Sequence, residues 1–471
     1  MSSIFDVESN KEKCQKFTPD EMVRVMLDLA GYTHDLMGKK VLEYSFGSGN
    51  ILIRIVQRYI ETSKKTGASA IEITKGLATD IIGIEYDKNL YNKCIERLNK
   101  VVKEYSLPKV EWALYWDDTL RWGSKDRFDY IIGNPPYITY KMIDEDSRKY
   151  IRENFLVCTE GKFDYCYAFL EKGIKLLSKT GIMVQLVPEN IYKNVYAQKL
   201  RDMLLDHMVE ILEYPGQNKF GSALTSSSIF LYDNSSNSDN LVYKNETTKV
   251  QRSISKSMLQ KKWVFCEEAL LTGKERLFSD CFKATISIAT QLNKAFVISS
   301  ADAAGLERKI IRSAASPRMK RNQKEEFIIF PYYINKNSVK HINEEEFKSK
   351  YPLAYDHLNQ YYNELLSRDA DKEAKWYEYG RSQGLLHINQ EKLLISTVIT
   401  GKVELYKLDK RSVPYSGIFI TAKKGHTIEE AEIVLHSDDF FNYVMAIGIS
   451  VNGKSKRITC RDINNYRYLE K

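Results

Sequence analysis

Short apolar runs alternate with longer amphipathic stretches along the first half of the chain. The runs have the length of buried strands and cover residues 41–44, 81–84, 128–132 and 181–187. The stretches between them place apolar residues at helical spacing and cover residues 50–60, 87–102 and 166–177. Such alternation predicts an α/β fold in which a parallel sheet carries helices on both faces. In sheets of this kind, ligands bind at the carboxyl ends of the strands.

The pattern changes past Tyr232. Residues 233–240 are polar and turn-forming, which indicates a linker or a hairpin loop, and we favour a loop near a domain edge. Farther on, strand-like runs mix with helical patches: 327–330, 393–398 and 418–421 for the strands, 358–366 and 438–447 for the helices. The sequence therefore predicts two domains, an α/β domain over residues 1–244 and a mixed α+β domain over residues 245–471.

Composition narrows the class of protein. The 471 residues are 43% hydrophobic and 28% charged, which is typical of a globular protein, and the net charge of +8 permits a polyanionic partner without requiring one. We expect no membrane segment and no secretion signal, because no apolar run approaches the ~20 residues that a bilayer requires. The seven cysteines are scattered and lack a CxxC pair, which predicts a reducing, cytoplasmic location. The histidines lack metal-binding spacing, so we predict no metal site.

Polar residues follow the first two predicted strands. Glu43 is followed by Gly47 and Gly49, and glycines at a strand end let the backbone approach a ligand closely. Glu85 ends the second strand, where an acid can accept hydrogen bonds from ribose hydroxyls; a solvated loop acid is the alternative. No third glycine completes a dinucleotide motif. We therefore expect a nucleoside-type cofactor across the strand ends.

A rigid polar turn, Asn134-Pro135-Pro136-Tyr137, directly follows the third predicted strand. Proline fixes φ and removes a donor, so the Pro135 carbonyl can face a ligand from a stiff loop. The Asn134 amide oxygen adds a second acceptor. Two acceptors on one amino group bind both of its hydrogens and turn the nitrogen lone pair toward an electrophile, while Tyr137 offers a flat face for a planar base. The alternative is a rigid strand-to-loop connection without a catalytic role.

These residues resemble the motifs of S-adenosylmethionine-dependent DNA adenine-N6 methyltransferases of bacterial restriction–modification systems. The order resembles the class with the cofactor motif first, the catalytic Asn-Pro-Pro-Tyr motif next and target recognition last, over essentially the whole chain. The resemblance implies a Rossmann-like methyltransferase sheet, an α+β target recognition domain, S-adenosylmethionine as the cofactor and double-stranded DNA as the partner. It assigns the catalytic role to Asn134, Pro135, Pro136 and Tyr137.

The resemblance also implies a cofactor site. Thr18, in Phe17-Thr18-Pro19, matches the leading motif that touches the methionine end of the cofactor. Glu85 matches the ribose-binding acid, and Asp118 matches the acid that binds the cofactor's adenine amino group, with Asp117 as the alternative. The glycine loop is matched by Glu43, Gly47 and Gly49.

Other positions concern the target base and departures from the family pattern. Phe220 stands where the family has a phenylalanine that packs against the flipped base, so Tyr137 and Phe220 are the implied stacking pair. Tyr44 stands where the family usually has proline, and Asn50 where it usually has an aromatic or aliphatic residue. Both departures adjoin the glycine loop.

The second domain carries weaker signals. Residues 288–296 and 376–383 resemble segments of the family's recognition region. A basic cluster suits contacts to DNA phosphates, with a solvated surface as the alternative; it consists of Arg308, Lys309, Arg312, Arg318, Lys320 and Arg321.

We therefore expect the modification enzyme of a type II restriction–modification system, which methylates N6 of a flipped adenine. Cytosine-C5 methylation is disfavoured because no cysteine follows a proline as that nucleophile requires. No convincing nuclease motif is present, so we expect any restriction endonuclease on a separate chain. The alternatives are a modification subunit that needs a separate specificity protein, a DNA-binding subunit with a degenerate cofactor fold, and an Asn-Pro-Pro-Tyr methyltransferase acting on RNA or protein glutamine.

Overall fold

The computed structural model describes residues 18–214, 226–259, 261–266, 274–335, 338–451 and 455–469. The chain divides into two compact units, Met1–Phe265 and Cys266–Lys471. The first unit ends at Phe265, later in the chain than the boundary predicted at residue 244. The reason is that the strands at Asn240–Asn245 and Val250–Ser255 form a hairpin that belongs to the sheet of the first unit. The polar stretch at 233–240 is accordingly a loop within the first unit.

A single sheet organises the first unit. Among the described residues, nine strands join in the order β3-β2-β1-β4-β5-β7-β6-β8-β9. The five strands from β3 to β5 are parallel, and β7 runs antiparallel between β5 and β6. The strands are β1 (Val41–Glu43), β2 (Ile81–Glu85), β3 (Ala113–Trp116), β4 (Phe128–Gly133), β5 (Leu177–Pro188), β6 (Met208–Tyr214), β7 (Ser227–Asp233), β8 (Asn240–Asn245) and β9 (Val250–Ser255).

Helices cover both faces of this sheet. They are α1 (Asp20–Leu29), α2 (Asn50–Lys65), α3 (Ala70–Asp80), α4 (Lys88–Glu104), α5 (Glu145–Asn154), α6 (Tyr165–Leu176) and α7 (Gln198–Leu205). Neighbouring strand residues point to opposite faces, so Ile132 packs in the core with α1 to α4, whereas Ile131 packs in the core with α5 to α7. The predicted α/β fold with helices on both faces is confirmed.

The second unit combines small sheets with short helices. Its strands are β10 (Arg276–Leu277), β11 (Phe282–Ile286), β12 (Val297–Ile298), β13 (Ile311–Ala315), β14 (Glu326–Ile329), β15 (Tyr332–Asn335), β16 (Ser338–His341), β17 (Lys392–Ile395), β18 (Val398–Ile399), β19 (Leu405–Leu408), β20 (Val413–Pro414), β21 (Ile418–Ala422), β22 (Ile449–Ser450), β23 (Lys456–Arg457) and β24 (Arg467–Tyr468). Among the described residues of this unit, the largest sheets are two four-stranded ones, β11-β21-β17-β19 and β12-β14-β13-β20.

The helices of the second unit are α8 (Phe278–Cys281), α9 (Asn293–Phe296), α10 (Ser300–Ala304), α11 (Pro317–Arg321), α12 (Glu344–Lys350), α13 (Pro352–Asn359), α14 (Tyr362–Leu366), α15 (Ile428–Leu435), α16 (Asp438–Ile447) and α17 (Cys460–Asn464). The helix predicted at 438–447 is confirmed at those bounds, and the patch predicted at 358–366 is divided between two helices. None of the helices within the described ranges combines the length and the apolarity needed to cross a membrane.

Candidate active site at the strand ends

Four predicted site residues lie at the carboxyl ends of neighbouring parallel strands. Glu43 ends β1, Glu85 ends β2, Asp118 follows β3, and Asn134 follows β4. Because β3, β2, β1 and β4 are adjacent and parallel, their carboxyl ends share one edge of the sheet. The structure therefore brings together residues that are far apart in sequence, at the edge where α/β proteins bind ligands.

The glycine loop between β1 and α2 is a tight turn. Gly47 and Gly49 have φ of 55° and 88°, in the left-handed region that favours glycine. The Gly49 N–H donates to the Phe46 carbonyl at 2.7 Å, and the Gly47 N–H donates to Oε2 of Glu85 at 2.8 Å. A Cβ at Gly49 would overlap Sγ of Cys94 on α4. The loop is thus held between the β2 acid and a close approach to α4.

We expect Gly49→Ala to destabilise the first unit by about 2–5 kcal/mol, since a left-handed alanine costs roughly 1–2 kcal/mol and overpacking costs roughly 1–3 kcal/mol. Gly67→Ala is the matched control: its φ is 84°, but no atom lies within 4 Å of the added Cβ. Urea unfolding of both variants checks this. Equal losses of stability would show that Cys94 does not limit the glycine loop.

Glu85 is the anchor of the loop. Its two carboxylate oxygens accept the N–H groups of Gly47 and Asp87, each at 2.8 Å. Burial raises the pKa of Glu85, and these two backbone hydrogen bonds act in the opposite direction. A carboxylate has about four lone-pair sites, so the backbone hydrogen bonds that Glu85 accepts leave capacity for a further donor such as a ribose hydroxyl.

Glu43 is buried, with 1% of its surface exposed. Burial raises the pKa of Glu43 well above its usual range, and the neighbouring Glu85 raises it further, while a hydrogen bond from the Leu52 backbone lowers it. Its Oε2 has no hydrogen-bond partner within the part of the chain that the structure describes. The protonated form is therefore favoured in the folded protein.

A raised carboxyl pKa gives a stability contribution that is present at low pH and is lost as the pH rises from the unfolded-state value of about 4.3 through the folded-state pKa. We expect wild-type stability to fall relative to Glu43→Gln between pH 5 and pH 8, because glutamine has the same shape and does not titrate. Urea unfolding at both pH values measures this, with the exposed Glu104→Gln as control. Parallel pH profiles for wild type and Glu43→Gln would contradict it.

Asp118, rather than Asp117, has the more enclosed carboxylate after β3. Asp117 is exposed, whereas the Asp118 side chain is 16% exposed, and burial raises its pKa. Oδ1 of Asp118 accepts the Leu120 N–H at 2.9 Å, and Oδ2 lies 3.3 Å from Nε of Arg121. This placement supports Asp118 as the better candidate of the two.

Asn134 is joined to two other strand-end segments. Its Nδ2 donates to Oγ1 of Thr18 at 3.1 Å, and its carbonyl accepts the Ser45 hydroxyl at 3.1 Å. Pro135 is buried, whereas Asn134 and Pro136 are part exposed. The first described residue of the chain, Thr18, is thus in direct contact with the Asn134 side chain.

Tyr137 is fixed by its polar end. Its hydroxyl donates to the Leu186 carbonyl of β5 at 2.9 Å, while the residue keeps part of its surface exposed. The hydroxyl is therefore bound by the protein itself. Phe17 and Phe220 lie outside the described residues.

Two hydroxyl groups that were not predicted from the sequence connect these loops by hydrogen bonds. Ser45 bonds the Asn134 carbonyl, and Thr119 donates to the Tyr44 carbonyl at 2.5 Å. Both residues closely follow a strand of the parallel sheet, and this position in the sequence could have identified them as site residues. The Tyr44 side chain is fully buried and packs edge-on against Phe169 of α6 at 5.5 Å. The departure from proline at Tyr44 is thus accommodated in the hydrophobic core.

The predicted basic cluster of the second unit is divided among different environments. Arg308 and Lys309 lie in an exposed turn before β13, and Arg318 and Lys320 lie on α11. Arg321 forms an ion pair with Glu404 at 2.7 Å.

Arg312 differs from the expected surface position. Its guanidinium lies 3.7 Å from the ring centroid of Phe330, and burial lowers its pKa. Arg312 is on strand β13, where alternate side chains turn toward the core. Its primary contact is therefore with the core rather than with a solvent-exposed basic surface.

The two segments that resemble a recognition region pair with each other. Ala289 and Arg381 exchange backbone hydrogen bonds of 3.1 and 2.9 Å. Beside the second segment is a cavity of about 510 Å³, whose lining includes the 2%-exposed Glu378. Oε1 of Glu378 lies 2.8 Å from Nδ1 of His341. These two side chains were not singled out from the sequence, because they are 37 positions apart and only the folded chain brings them together.

Several known proteins are similar in sequence to this chain. Residues 35–220 match the Eco57I restriction-modification methylase family. The type II methyltransferase M.BstVI of Geobacillus stearothermophilus is 30% identical over 203 residues, which are 41% of this chain and 36% of that protein. The type II restriction enzyme and methyltransferase RM.Eco57I of Escherichia coli is 22% identical over 420 residues, 74% of this chain and 40% of that protein. The predicted resemblance to restriction–modification methyltransferases is confirmed.

Solved structures agree on the fold. The type IIL restriction-modification enzyme MmeI, in complex with DNA, superposes with a TM-score of 0.59 at 12% identity, over 96% of this chain and 64% of that chain. The type ISP enzyme LlaBIII bound to DNA gives a TM-score of 0.52 at 11% identity, over 93% of this chain and 36% of that one. The fold is that of the methyltransferase sheet with additional sheets. The match spans well under half the length of M.BstVI and RM.Eco57I.

Proposed function

We propose that this chain transfers a methyl group from S-adenosylmethionine to N6 of a flipped adenine in double-stranded DNA, as the modification enzyme of a restriction–modification system. The observation that carries the proposal is the position of Asn134-Pro135-Pro136-Tyr137 directly after β4, at the same sheet edge as Glu43, Glu85 and Asp118. The family match over residues 35–220 supports methylation of DNA, and the Asn-Pro-Pro-Tyr turn favours an exocyclic amino group as the acceptor.

The residues present fit the cofactor. Glu85 has acceptor capacity left for ribose hydroxyls, and Asp118 offers a half-buried carboxylate at the next strand end for an adenine amino group. The left-handed Gly47 and Gly49 bring backbone rather than side chains to the strand ends. Thr18 lies beside Asn134, so the leading motif would hold the cofactor's methionine end next to the catalytic turn.

S-adenosylmethionine, when bound, supplies an activated methyl group on a sulfonium. Asn134 Oδ1 and the Pro135 carbonyl would accept the two hydrogens of the adenine amino group and aim its lone pair at that carbon. Both acceptors bind more strongly as positive charge develops on N6, which stabilises the transition state. Most of the remaining catalysis would come from holding nitrogen and carbon at ~3–3.5 Å.

The target base must leave the helix, at a cost of a few kcal/mol. Stacking on an aromatic ring contributes ~1–3 kcal/mol per base and offsets that cost. We assign this role to Tyr137, a half-buried residue whose hydroxyl is held by β5, together with Phe220.

Cysteine chemistry does not support the competing reaction at a ring carbon. Cys94, Cys158 and Cys166 of the first unit are buried, and burial raises the pKa of each thiol. A buried thiol with a raised pKa is a poor nucleophile. An amino-group acceptor, which needs no covalent intermediate with the enzyme, therefore fits these residues better than cytosine C5.

We assign DNA recognition to the second unit, because residues 288–296 and 376–383 resemble recognition segments and pair with each other. The candidates for phosphate contacts are the exposed Arg308, Lys309 and Arg318, together with the half-buried Lys320. RM.Eco57I is named as both a restriction enzyme and a methyltransferase; for this chain we propose the methyltransferase reaction, with cleavage by an endonuclease on a separate chain.

The direct test incubates the purified chain with plasmid DNA and S-adenosylmethionine carrying a labelled methyl group, followed by digestion to nucleosides and mass spectrometry. The proposal predicts label in N6-methyladenine with this chain alone. Label in N4-methylcytosine would show that the target base is cytosine rather than adenine. Transfer only after addition of a specificity protein, or only to RNA or to a glutamine-containing protein, would support the alternatives instead.

A further inference from the structure

A short chain of hydrogen bonds leads from helix α4 to the catalytic turn. Nη1 of Arg97 donates to Oδ1 of Asn50 at 2.8 Å and to the Ser48 carbonyl at 2.5 Å. Nδ2 of Asn50 donates to the Thr18 carbonyl at 3.3 Å, and Oγ1 of Thr18 accepts Nδ2 of Asn134 at 3.1 Å. Helix α4, the glycine loop, the leading motif and the catalytic turn are therefore connected.

The chemistry of its partners fixes the orientation of the Asn50 carboxamide. An arginine guanidinium only donates, so Asn50 must present its oxygen to Arg97. A backbone carbonyl only accepts, so Asn50 must present its NH₂ to Thr18. A side chain at position 50 has to offer one acceptor and one donor to satisfy both, and an aliphatic or aromatic residue there would offer neither.

The chain of hydrogen bonds ends at the Asn134 side chain. Nδ2 of Asn134 donates to the Thr18 hydroxyl at 3.1 Å, so the carboxamide is held with its NH₂ toward Thr18. A carboxamide rotated by half a turn would present NH₂ to the base, where it would repel the amino hydrogens. Thr18 thus anchors the Asn134 side chain in its present orientation.

We propose that Asn50 is a positioning residue for methyl transfer: held by Arg97, it fixes Thr18, and Thr18 fixes the carboxamide of Asn134 in the orientation that accepts the target amino group. This inference rests on the proposed function.

Two substitutions separate the bonds of Asn50. Asn50→Leu removes both bonds with little change in volume and no change in charge. Asn50→Asp keeps the acceptor for Arg97 and loses the donor to Thr18, so it should not restore activity. Thr18→Val removes the hydroxyl that binds Asn134. Asn99→Asp, on the same helix as Arg97, keeps the acceptor for Trp112 and is the matched control.

The readouts are kcat for methyl transfer to DNA, the Kd for S-adenosylmethionine by calorimetry, and Tm for each full-length variant. We expect Asn50→Leu and Asn50→Asp to lower kcat about tenfold, the effect of losing one well-placed hydrogen bond, with Kd changed less than about threefold. Because Asn50 acts through Thr18, adding Asn50→Leu to Thr18→Val should lower kcat no further.

The inference is overturned by a kcat for Asn50→Leu within about twofold of wild type, by a loss of cofactor affinity as large as the loss of kcat, or by multiplicative effects in the double variant. A merely structural role would lower Tm and weaken cofactor binding together, without separating kcat from Kd. Failure of the proposed function is distinct, because wild type itself would then transfer no methyl group to DNA.

Discussion

Replacing Asn134 by alanine should lower kcat for methyl transfer to DNA by about 10²- to 10³-fold and leave the Kd for S-adenosylmethionine nearly unchanged. The variant loses the side-chain acceptor for the target amino group, and removal of one preorganised polar group at a reacting centre costs a factor of this size. The Asn134 side chain donates to Thr18 Oγ1 rather than to the acids assigned to the cofactor. The cofactor site should therefore persist in the variant. Single-turnover transfer of labelled methyl groups measures the first effect and calorimetry measures the second.

Asn134→Asp provides a second test of the same role. It retains the shape and the acceptors but cannot donate to Thr18, so we expect it to recover only part of the lost rate. Asn99→Asp is the matched control and should retain wild-type kcat. A near-normal rate for Asn134→Ala would exclude Asn134 from the reaction, and a parallel loss of cofactor affinity would show that Asn134 acts in binding.

Replacing Glu85 by alanine should raise the Kd for S-adenosylmethionine by about 10²-fold. Glu85 holds the glycine loop through the Gly47 N–H and would also bind the ribose, and hydrogen bonds to a charged group contribute roughly 1.5–3 kcal/mol each. Calorimetry with S-adenosylmethionine measures the affinity. Glu104→Ala, at the last and exposed residue of α4, is the control. An unchanged Kd for Glu85→Ala would place the cofactor elsewhere.

The affinity for S-adenosylmethionine should also depend on pH through Glu85. Its pKa is raised by burial, and the protonated carboxyl loses acceptor capacity for the loop and the ribose. Affinity should therefore be full above the raised pKa and fall as the pH is lowered through it. Comparison of the Kd at pH 8 and pH 5 for wild type and for Glu104→Ala tests the direction; affinity that rises toward pH 5 would contradict it.

The sequence predicted the first unit well because its strands are buried runs with clear boundaries. The runs at 41–44, 81–84 and 128–132 coincide with β1, β2 and β4, and parallel strands place their carboxyl ends together by geometry alone. Helix α3 was missed, although Ser69 and Glu72 form a capping box at its start that is readable in sequence. The strands of the second unit are harder to predict, since two-residue strands such as β18 and β23 exist only through long-range pairing.

Site contacts were predictable only in part. The positions of Glu43, Glu85 and Asn134 follow from their strand ends, but the bond from Asn134 to Thr18 joins residues far apart in sequence and needs the folded chain. The environment of Arg312 was not predictable either. A run of basic residues indicates a charged surface, but the pleat of β13 turns the Arg312 side chain toward Phe330.

The proposed reaction depends on hydrogen bonds from the amino group of an extruded adenine to Asn134 and the Pro135 carbonyl. The most direct measurement is a crystal structure of the chain with sinefungin, an unreactive analogue of S-adenosylmethionine, and methylatable DNA. The account predicts a flipped adenine whose N6 lies about 2.7–3.2 Å from both Oδ1 of Asn134 and the Pro135 carbonyl. A flipped base whose amino group is bound by other residues, with Asn134 out of reach, would contradict it.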